Sequence, residues 1–290
     1  MTYRTVGLIG KSSHEATFNS ITLLIEELHE RNCKVLLENK IQINLDHEVE
    51  SVSMLEIGRR ADLAIVVGGD GNMLGAARVL AEFDIDVVGV NRGNLGFLTD
   101  ISPDDIPAQL AHIFNGNIAR EKRFLIEALV YSGETLVDSH NAVNEIVLHH
   151  SKVAHMMEFE LYIEDKFVFS QRSDGLIIAT PTGSTAYSLS GGGPILTPHL
   201  DVLTLVPMFP HTLSSRPIVV DANNEMTLKI SNNNSDNVQI SCDSHVVISV
   251  NPGDHVIIRK NFKHLTLIHP PDYSYFNVLR KKLNWGSKLY

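Results

Sequence analysis

Asp62-Leu-Ala-Ile-Val-Val-Gly68 is a strand with apolar side chains on both faces, and Gly69-Asp70-Gly71 follows it directly. Next comes Asn72-Met-Leu-Gly-Ala-Ala-Arg-Val-Leu-Ala81, in which Met73, Leu74, Ala77, Leu80 and Ala81 recur at helical spacing. A strand apolar on both sides belongs inside a sheet covered on both faces, and a strand feeding a helix in this way builds parallel β/α units. The same alternation fills the chain up to about Asn91. Thr5–Gly10, Lys34–Glu38 and Asp86–Asn91 read as strands, and Phe18–Arg31 reads as a helix. A polar segment with Pro103 and Pro107 opens a further helix through Ile113.

Beyond about Ala119 the period changes to two. Glu127–Val130, Ala142–Leu148, Phe159–Ile163, Lys166–Ser170, Gly175–Thr180, Met226–Ile230, Val246–Val250 and His255–Arg259 alternate as strands. Turn residues such as Ser132-Gly133, Asn232–Asp236 and Pro252-Gly-Asp254 separate many of them. This predicts an α/β N-terminal parallel-sheet domain over 1–118, followed by an all-β C-terminal domain over 119–270. A tail over 271–290, helical from Asp272 to Leu283, packs back on the first domain in this reading.

Charge narrows the partners. Lys and Arg number 24 against 34 Asp and Glu, a net charge of −10 with histidine neutral. A protein that lives on nucleic-acid backbone carries the opposite sign, so general DNA or RNA binding is not expected, whereas a local pocket for one phosphate ester is compatible. Cys33 and Cys242 lie too far apart in sequence for a disulfide framework or a thiolate metal site. The start of the sequence has no signal-peptide pattern, and its apolar runs fall short of the about 20 residues that span a bilayer. The expectation is a cytoplasmic protein without a membrane partner.

Several segments carry more chemistry than folding requires. Glycines around Asp70 let backbone amides approach a phosphate, and the following helix N-terminus adds partial positive charge. A carboxylate within such a turn suits a base or a partner for Mg²⁺; the structural alternative is a helix cap. Two familiar nucleotide motifs come close and fail. Gly7–Ser12 lacks the first P-loop glycine, and Gly69-x-Gly71-x-x-x-Gly75 misses the dinucleotide spacing by one residue. Asn91–Phe97 has donors and glycines suited to a ligand-facing turn, with Phe97 able to stack on a base. Asn144-Glu145 falls within the apolar stretch Asn141–Leu148, so one of the pair is awkwardly buried unless it meets a ligand. Thr180–Gly193 concentrates hydroxyls on Thr182, Ser184, Thr185, Tyr187, Ser188 and Ser190 with four glycines, a pattern able to read sugar and amide groups. The 14 histidines show no metal-ligand spacing.

Together these segments resemble the NAD kinase family over almost the whole chain. The resemblance rests on Gly68-Gly-Asp-Gly71, Gly93-Asn-Leu-Gly-Phe97, Asn144-Glu145, Arg172-Ser-Asp-Gly175 and Pro181-Thr-Gly-Ser-Thr-Ala-Tyr-Ser188, in the family's order. Thr197–Pro217 is similar to the enterobacterial-type branch. The resemblance implies a Rossmann-like first domain and transfer of the ATP γ-phosphate to the adenosine 2′-hydroxyl of NAD, giving NADP. It implies ATP as donor and a divalent cation, Mg²⁺. Asp70 matches the general base and Gly71 a phosphate-holding position. Asn144 and Glu145 match the ribose readers, Asp174 the carboxylate near nicotinamide or adenine, and Phe97 the aromatic near the adenine. Thr185, Ala186, Tyr187, Ser188, Leu189 and Ser190 match the loop around the dinucleotide, and His245 a position beside it. Arg172 and His155 fall near positions reached by a neighbouring subunit, which implies a homotetramer with sites near interfaces.

Two other readings compete. A lipid kinase shares the Gly-Gly-Asp-Gly turn but needs an acyl pocket and has no use for the hydroxyl-rich loop. A non-catalytic dinucleotide sensor has no use for a base at Asp70.

Overall fold

Five strands of the first half stand side by side and all run in one direction. They are β1 (Thr5–Gly10), β2 (Lys34–Glu38), β3 (Glu50–Val52), β4 (Leu63–Val67) and β5 (Asp86–Val90), in the order β3-β2-β1-β4-β5. The helices between them are α1 (Glu15–Glu30), α2 (Met54–Arg60) and α3 (Asp70–Leu80), and α4 (Ile106–Phe114) follows β5. The computed structural model describes residues 3–10, 15–41, 49–152, 155–234 and 238–286. Lys11 and Ser12 of the near-miss P-loop, and Ser235-Asp236 of the Asn-rich turn, lie outside them. The chain divides into two units, one of residues 1–122 with 265–290 and one of residues 123–264.

In the first unit all five residues of β4 are buried, as its two-sided apolar sequence requires. Leu24, Ile25 and Leu28 of α1 and Leu110 and Ile113 of α4 share a core with Leu8, Ile65 and Val88. Gly7 serves packing: a Cβ there would stand 2.1 Å from Ile57 Cγ2 of α2. Helix α2 escaped the periodicity analysis although Ser53 and Glu56 form a complete capping box at its start. The strand order reverses between β1 and β4, and open α/β sheets place ligands beyond the carboxyl ends of strands at such a switch. The end of β4 is Gly68-Gly69-Asp70.

The second unit is antiparallel. Its strands are β6 (Ala119–Ser132, entering from the first unit), β7 (Thr135–Ala142), β8 (Glu145–His150), β9 (Met157–Ile163), β10 (Lys166–Ser173), β11 (Gly175–Ala179), β12 (Val202–Met208), β13 (Ile218–Asp221), β14 (Met226–Ile230), β15 (Val238–Cys242) and β16 (Val246–Val250). A short helix, α5 (Tyr187–Ser190), lies in the loop after β11. One sheet runs β13-β12-β11-β8-β15-β16, and β10, β9 and β14 belong to another. Phe159, Leu161, Leu176, Ile178, Leu205 and Ile240 sit in the core between these strands. The chain leaves along β17 (His255–His269), which pairs with β14 through Val256–Ile258; its residues Thr266 and Leu267 then pair in parallel with Asp86 and Val87 of β5. Helix α6 (Tyr275–Leu283) follows. Among the described residues no helix is long and apolar enough to cross a membrane.

Two expectations need correction. Asn141–Leu148 is not one strand: β7 ends at Ala142 and β8 begins at Glu145, because the intervening amides bond to a side chain instead of a ladder partner. Helix α3 starts at Asp70 rather than Asn72, with Gly69 as its N-cap. The Asp70 side chain is therefore not a cap, and Asn72 sits one turn in, donating from Nδ2 to the Val67 carbonyl at 3.4 Å.

Candidate active site

In the first unit Asp70 is held by the loop after β5. The Phe97 N–H donates to Oδ2 at 3.0 Å and the Leu98 N–H to Oδ1 at 2.9 Å. Each oxygen keeps a second lone pair for another partner. Gly96 is required by this closeness, since a Cβ there would stand 2.3 Å from Asp70 Oδ1. Asn91, buried at the foot of the loop, accepts from the Gly93 N–H at 2.8 Å and donates to the Thr99 carbonyl at 3.4 Å. That residue organises the turn rather than facing a ligand. Phe97 is half-buried, and Lys282 of α6 lies over its ring at 5.7 Å. A Cβ on Gly69 or Gly71 would meet nothing within 4 Å. These two positions at the start of α3 therefore face open space, and a helix N-terminus with room beside it suits an anion.

In the second unit Asn144 and Glu145 are both buried, at 8% and 4% exposure. Their backbone is tied at every hydrogen-bonding group. The N–H groups of Val143, Asn144 and Glu145 donate to the Asp243 carboxylate at 2.9, 2.8 and 3.3 Å. The Val143 carbonyl accepts from Thr180 Oγ1 at 2.6 Å, the Asn144 carbonyl from the Thr180 N–H at 2.8 Å, and the Glu145 carbonyl from the Asp243 N–H at 3.0 Å. Gly183 presses on the same segment: a Cβ there would be 2.1 Å from the Asn144 carbonyl oxygen. Glu145 Oε2 is buried and has no hydrogen-bond partner. Burial, reinforced by the negative charge of Asp243, pushes the Glu145 carboxyl up to about 7, against a lowering by the Tyr187 N–H.

The hydroxyl-rich loop spends much of its donor capacity on itself. Ser184 Oγ donates to the Pro181 carbonyl at 2.6 Å and accepts from the Leu196 N–H at 3.0 Å. Thr185 Oγ1 donates to the Thr182 carbonyl, and Thr182 Oγ1 accepts from Arg123. Ser188 is fully buried with no partner for its Oγ. Ala186 and Leu189 are half-buried around it, while Tyr187 and Ser190 are exposed.

A cavity of about 470 Å³ beside Tyr187 is lined by His149, His155, Asp174, Ser241 and Ser244 among others. His149 Nδ1 donates to the His150 carbonyl at 3.1 Å, leaving Nε2 to accept from the Ser241 hydroxyl at 2.6 Å. His150 and His155 stack at 5.0 Å. Arg172 and His245 do not line this cavity. Arg172 is exposed with Nε 4.0 Å from Glu158 Oε1, and exposed His245 donates from Nδ1 to the Asp243 carbonyl at 2.7 Å. Sequence reasoning missed Ser241 and Asp243, set His149 aside as one of a close group of histidines without ligand spacing, and took Thr180 only as the start of the hydroxyl-rich loop. Asp243 left a local trace, as an acidic residue in the tight turn Cys242-Asp-Ser-His. Cys33 and Cys242 are both buried, and neither is in a disulfide.

A parallel-sheet unit whose glycine-rich strand–helix turn presents a fixed carboxylate, joined to a β unit with a buried Asn-Glu pair, defines a class of small-molecule phosphotransferases. Comparison with known proteins narrows this. Residues 6–118 match the ATP-NAD kinase N-terminal domain, and residues 143–270 match the ATP-NAD kinase C-terminal domain. The chain is 59% identical over 290 residues to the NAD kinase of Pseudoalteromonas translucida, covering 99% of each. It is 58% identical over 289 residues to that of Colwellia psychrerythraea, again covering 99% of each. The chain belongs to the ATP-NAD kinase family. Yeast NADH kinase complexed with NADH shares the fold, with a TM-score of 0.88 at 22% identity, covering all of this chain and 90% of that one. An NAD kinase from Archaeoglobus fulgidus in complex with ATP gives 0.74 at 23%, covering 97% of this chain and all of that one. These matches set aside the lipid-kinase and silent-sensor readings.

Proposed function

We propose that the protein transfers the γ-phosphate of ATP to the 2′-hydroxyl of the adenosine ribose of NAD, with Asp70 as general base. The observation that carries this is the Asp70 carboxylate, fixed by the Phe97 and Leu98 amides between two glycines whose Cβ positions are open. Asp70 takes the hydroxyl proton as the oxygen bonds to the γ-phosphorus. The bond to the β,γ-bridging oxygen breaks, and ADP leaves with the electron pair. The amides at the start of α3, Gly71 included, stabilise phosphate charge. Positioning and charge stabilisation do most of the work in phosphoryl transfer.

Asn144 and Glu145 read ribose hydroxyls in this assignment, and the unpartnered Oε2 of Glu145 supports it. Asp174, His155 and Tyr187, which share one cavity, hold a base or the nicotinamide amide. Phe97, Ser188, Arg172 and His245 keep the roles that family resemblance gives them, as do the remaining residues from Thr185 to Ser190. Among the described residues no group of three or more His, Cys, Asp or Glu is placed to hold a metal. In this reading Mg²⁺ is bound with the nucleotide substrate, where it would neutralise phosphate charge; such ions are commonly held by phosphates plus one or two carboxylates. Exposed Phe209, Leu213 and Phe262 support a homotetramer, which light scattering after size exclusion would test. The two cysteines, buried and outside any disulfide, support a cytoplasmic location.

The test is NADP formation from NAD, ATP and Mg²⁺, read by an NADP-specific dehydrogenase, with Asp70→Asn beside the wild type. Turnover should fall by about 10²–10⁴-fold with NAD affinity retained. Equal losses of binding and turnover would make Asp70 structural, and full turnover in the variant would remove it from the chemistry.

A further inference from the structure

The Val143–Glu145 segment interrupts what its sequence pattern predicts to be one continuous strand. The cause is a side chain about a hundred positions away. Asp243, 3% exposed, receives the N–H groups of three successive residues, and its own N–H closes the loop on the Glu145 carbonyl. Its backbone is that of a tight hairpin turn, with φ +49° at Asp243 and +57° at Ser244, a conformation that Asp tolerates better than most residues. A buried carboxylate is costly to desolvate, and three convergent amides compensate it. Reversing the chain between β15 and β16 does not require a buried carboxylate that receives three amides from another segment.

We propose that Asp243 is a positioning residue that pre-forms the Asn144-Glu145 pair for the dinucleotide ribose, holding both side chains in reading geometry before the ligand arrives. The inference rests on the ribose-reading role proposed above. The carboxylate has a second effect through space. Glu145 is met by Asp243 from the β15–β16 turn, by the Tyr187 N–H from α5 and by Ala179 opposite it on β11, and Asp243 is the charged group acting on it. A negative neighbour favours the protonated form of Glu145, which is the poorer acceptor for a hydroxyl. Dinucleotide affinity therefore rises with pH as Glu145 ionises. Removing the Asp243 charge moves that midpoint to lower pH.

The experiment measures NAD dissociation constants calorimetrically from pH 5.5 to 8.5, with steady-state kinetics, for the wild type, Asp243→Asn and Glu145→Gln. An Asn offers one acceptor oxygen and turns an amide group toward amides, so Asp243→Asn should weaken NAD binding on the order of tenfold. It should raise KM more than it lowers kcat, and its pH midpoint should fall below that of the wild type. Glu145→Gln should lose the midpoint. A folded Asp243→Asn with wild-type affinity and midpoint overturns the proposal. Hydrogen exchange on the wild-type protein without ligand covers the case in which the variant does not fold. The Val143, Asn144 and Glu145 amides should be protected there and gain little on adding NAD. Loop-like exchange that slows only with NAD means that the segment is not pre-formed, which also overturns the proposal. A wild type that shows protected amides but neither binds nor phosphorylates NAD would instead refute the ribose reading and leave the clamp standing.

Discussion

Glu145→Gln should make the protein lose less stability between acid and neutral pH than the wild type does. In the folded chain the carboxyl is 4% exposed and titrates at about 7 rather than at an ordinary 4.5. Between those values the folded protein holds a proton that the unfolded chain has released. The stability this group contributes is full below about pH 4.5 and is lost as pH rises through about 7. Two and a half pH units at about 1.4 kcal/mol each come to about 3.5 kcal/mol. At about 2–4 °C per kcal/mol for large domains, that corresponds to a relative change in Tm of about 7–14 °C. Scanning calorimetry of both proteins from pH 4.5 to 8 reads it in the transition of the second unit, since two units need not unfold together. Any fixed cost of burying the amide cancels when the wild-type-to-variant gap is followed against pH. A gap that stays constant, or moves against the wild type as pH falls, refutes the assignment of a buried, proton-holding Glu145.

Two further substitutions separate packing from chemistry in the first unit. Gly96→Ala puts a Cβ 2.3 Å from both Asp70 Oδ1 and Thr99 Oγ1, so the carboxylate must shift; turnover should drop by about a hundredfold, with NAD affinity much less affected, in steady-state kinetics against equilibrium titration. Gly71→Ala meets nothing within 4 Å and replaces glycine inside α3. It should raise unfolding free energy by about 0.5–1 kcal/mol in urea while raising the KM for ATP, because the methyl group occupies the open face of the amides.

The two architectures were legible because their periods differ and local sequence sets them. Strand β4 announces itself by five apolar residues closed by glycines, and α1 by its amphipathic spacing. Strand β15 was missed because Gln239 and Ser241 break the apolar pattern next to an Asn-rich turn. The far half of β17 was hidden by Lys260, Asn261 and Lys263; Lys260 is paired with Asp201, and Asn261 donates to Asn141 at 2.8 Å. Such tertiary partners override local preference. The site followed the same division. Asp70 and the Asn-Glu pair could be found from their neighbours in sequence. Their supports, Phe97 and Leu98 for one and Asp243 for the other, act from 27 to 100 positions away, where no local pattern reaches. Among the loop hydroxyls, composition pointed to a ligand, whereas Ser184 and Thr185 are engaged with backbone groups of their own loop.

The second unit is threaded into the first, entering after Lys122 and returning at Leu265. On the ribosome the first unit therefore waits. The edge of β5 at Asp86 and Val87 stays unpaired until Thr266 and Leu267 emerge, and at translation speeds of about 5–20 residues per second that delay is on the order of ten seconds. Through that interval a nascent chain carries a short unpaired edge at Asp86 and Val87, while Ile101 already covers Gly89 and Val90. The inserted β unit has its own core and can complete first. A stop before Leu265 would leave Asp86 and Val87 unpaired and remove Ile268 from the core of the unit that carries Asp70.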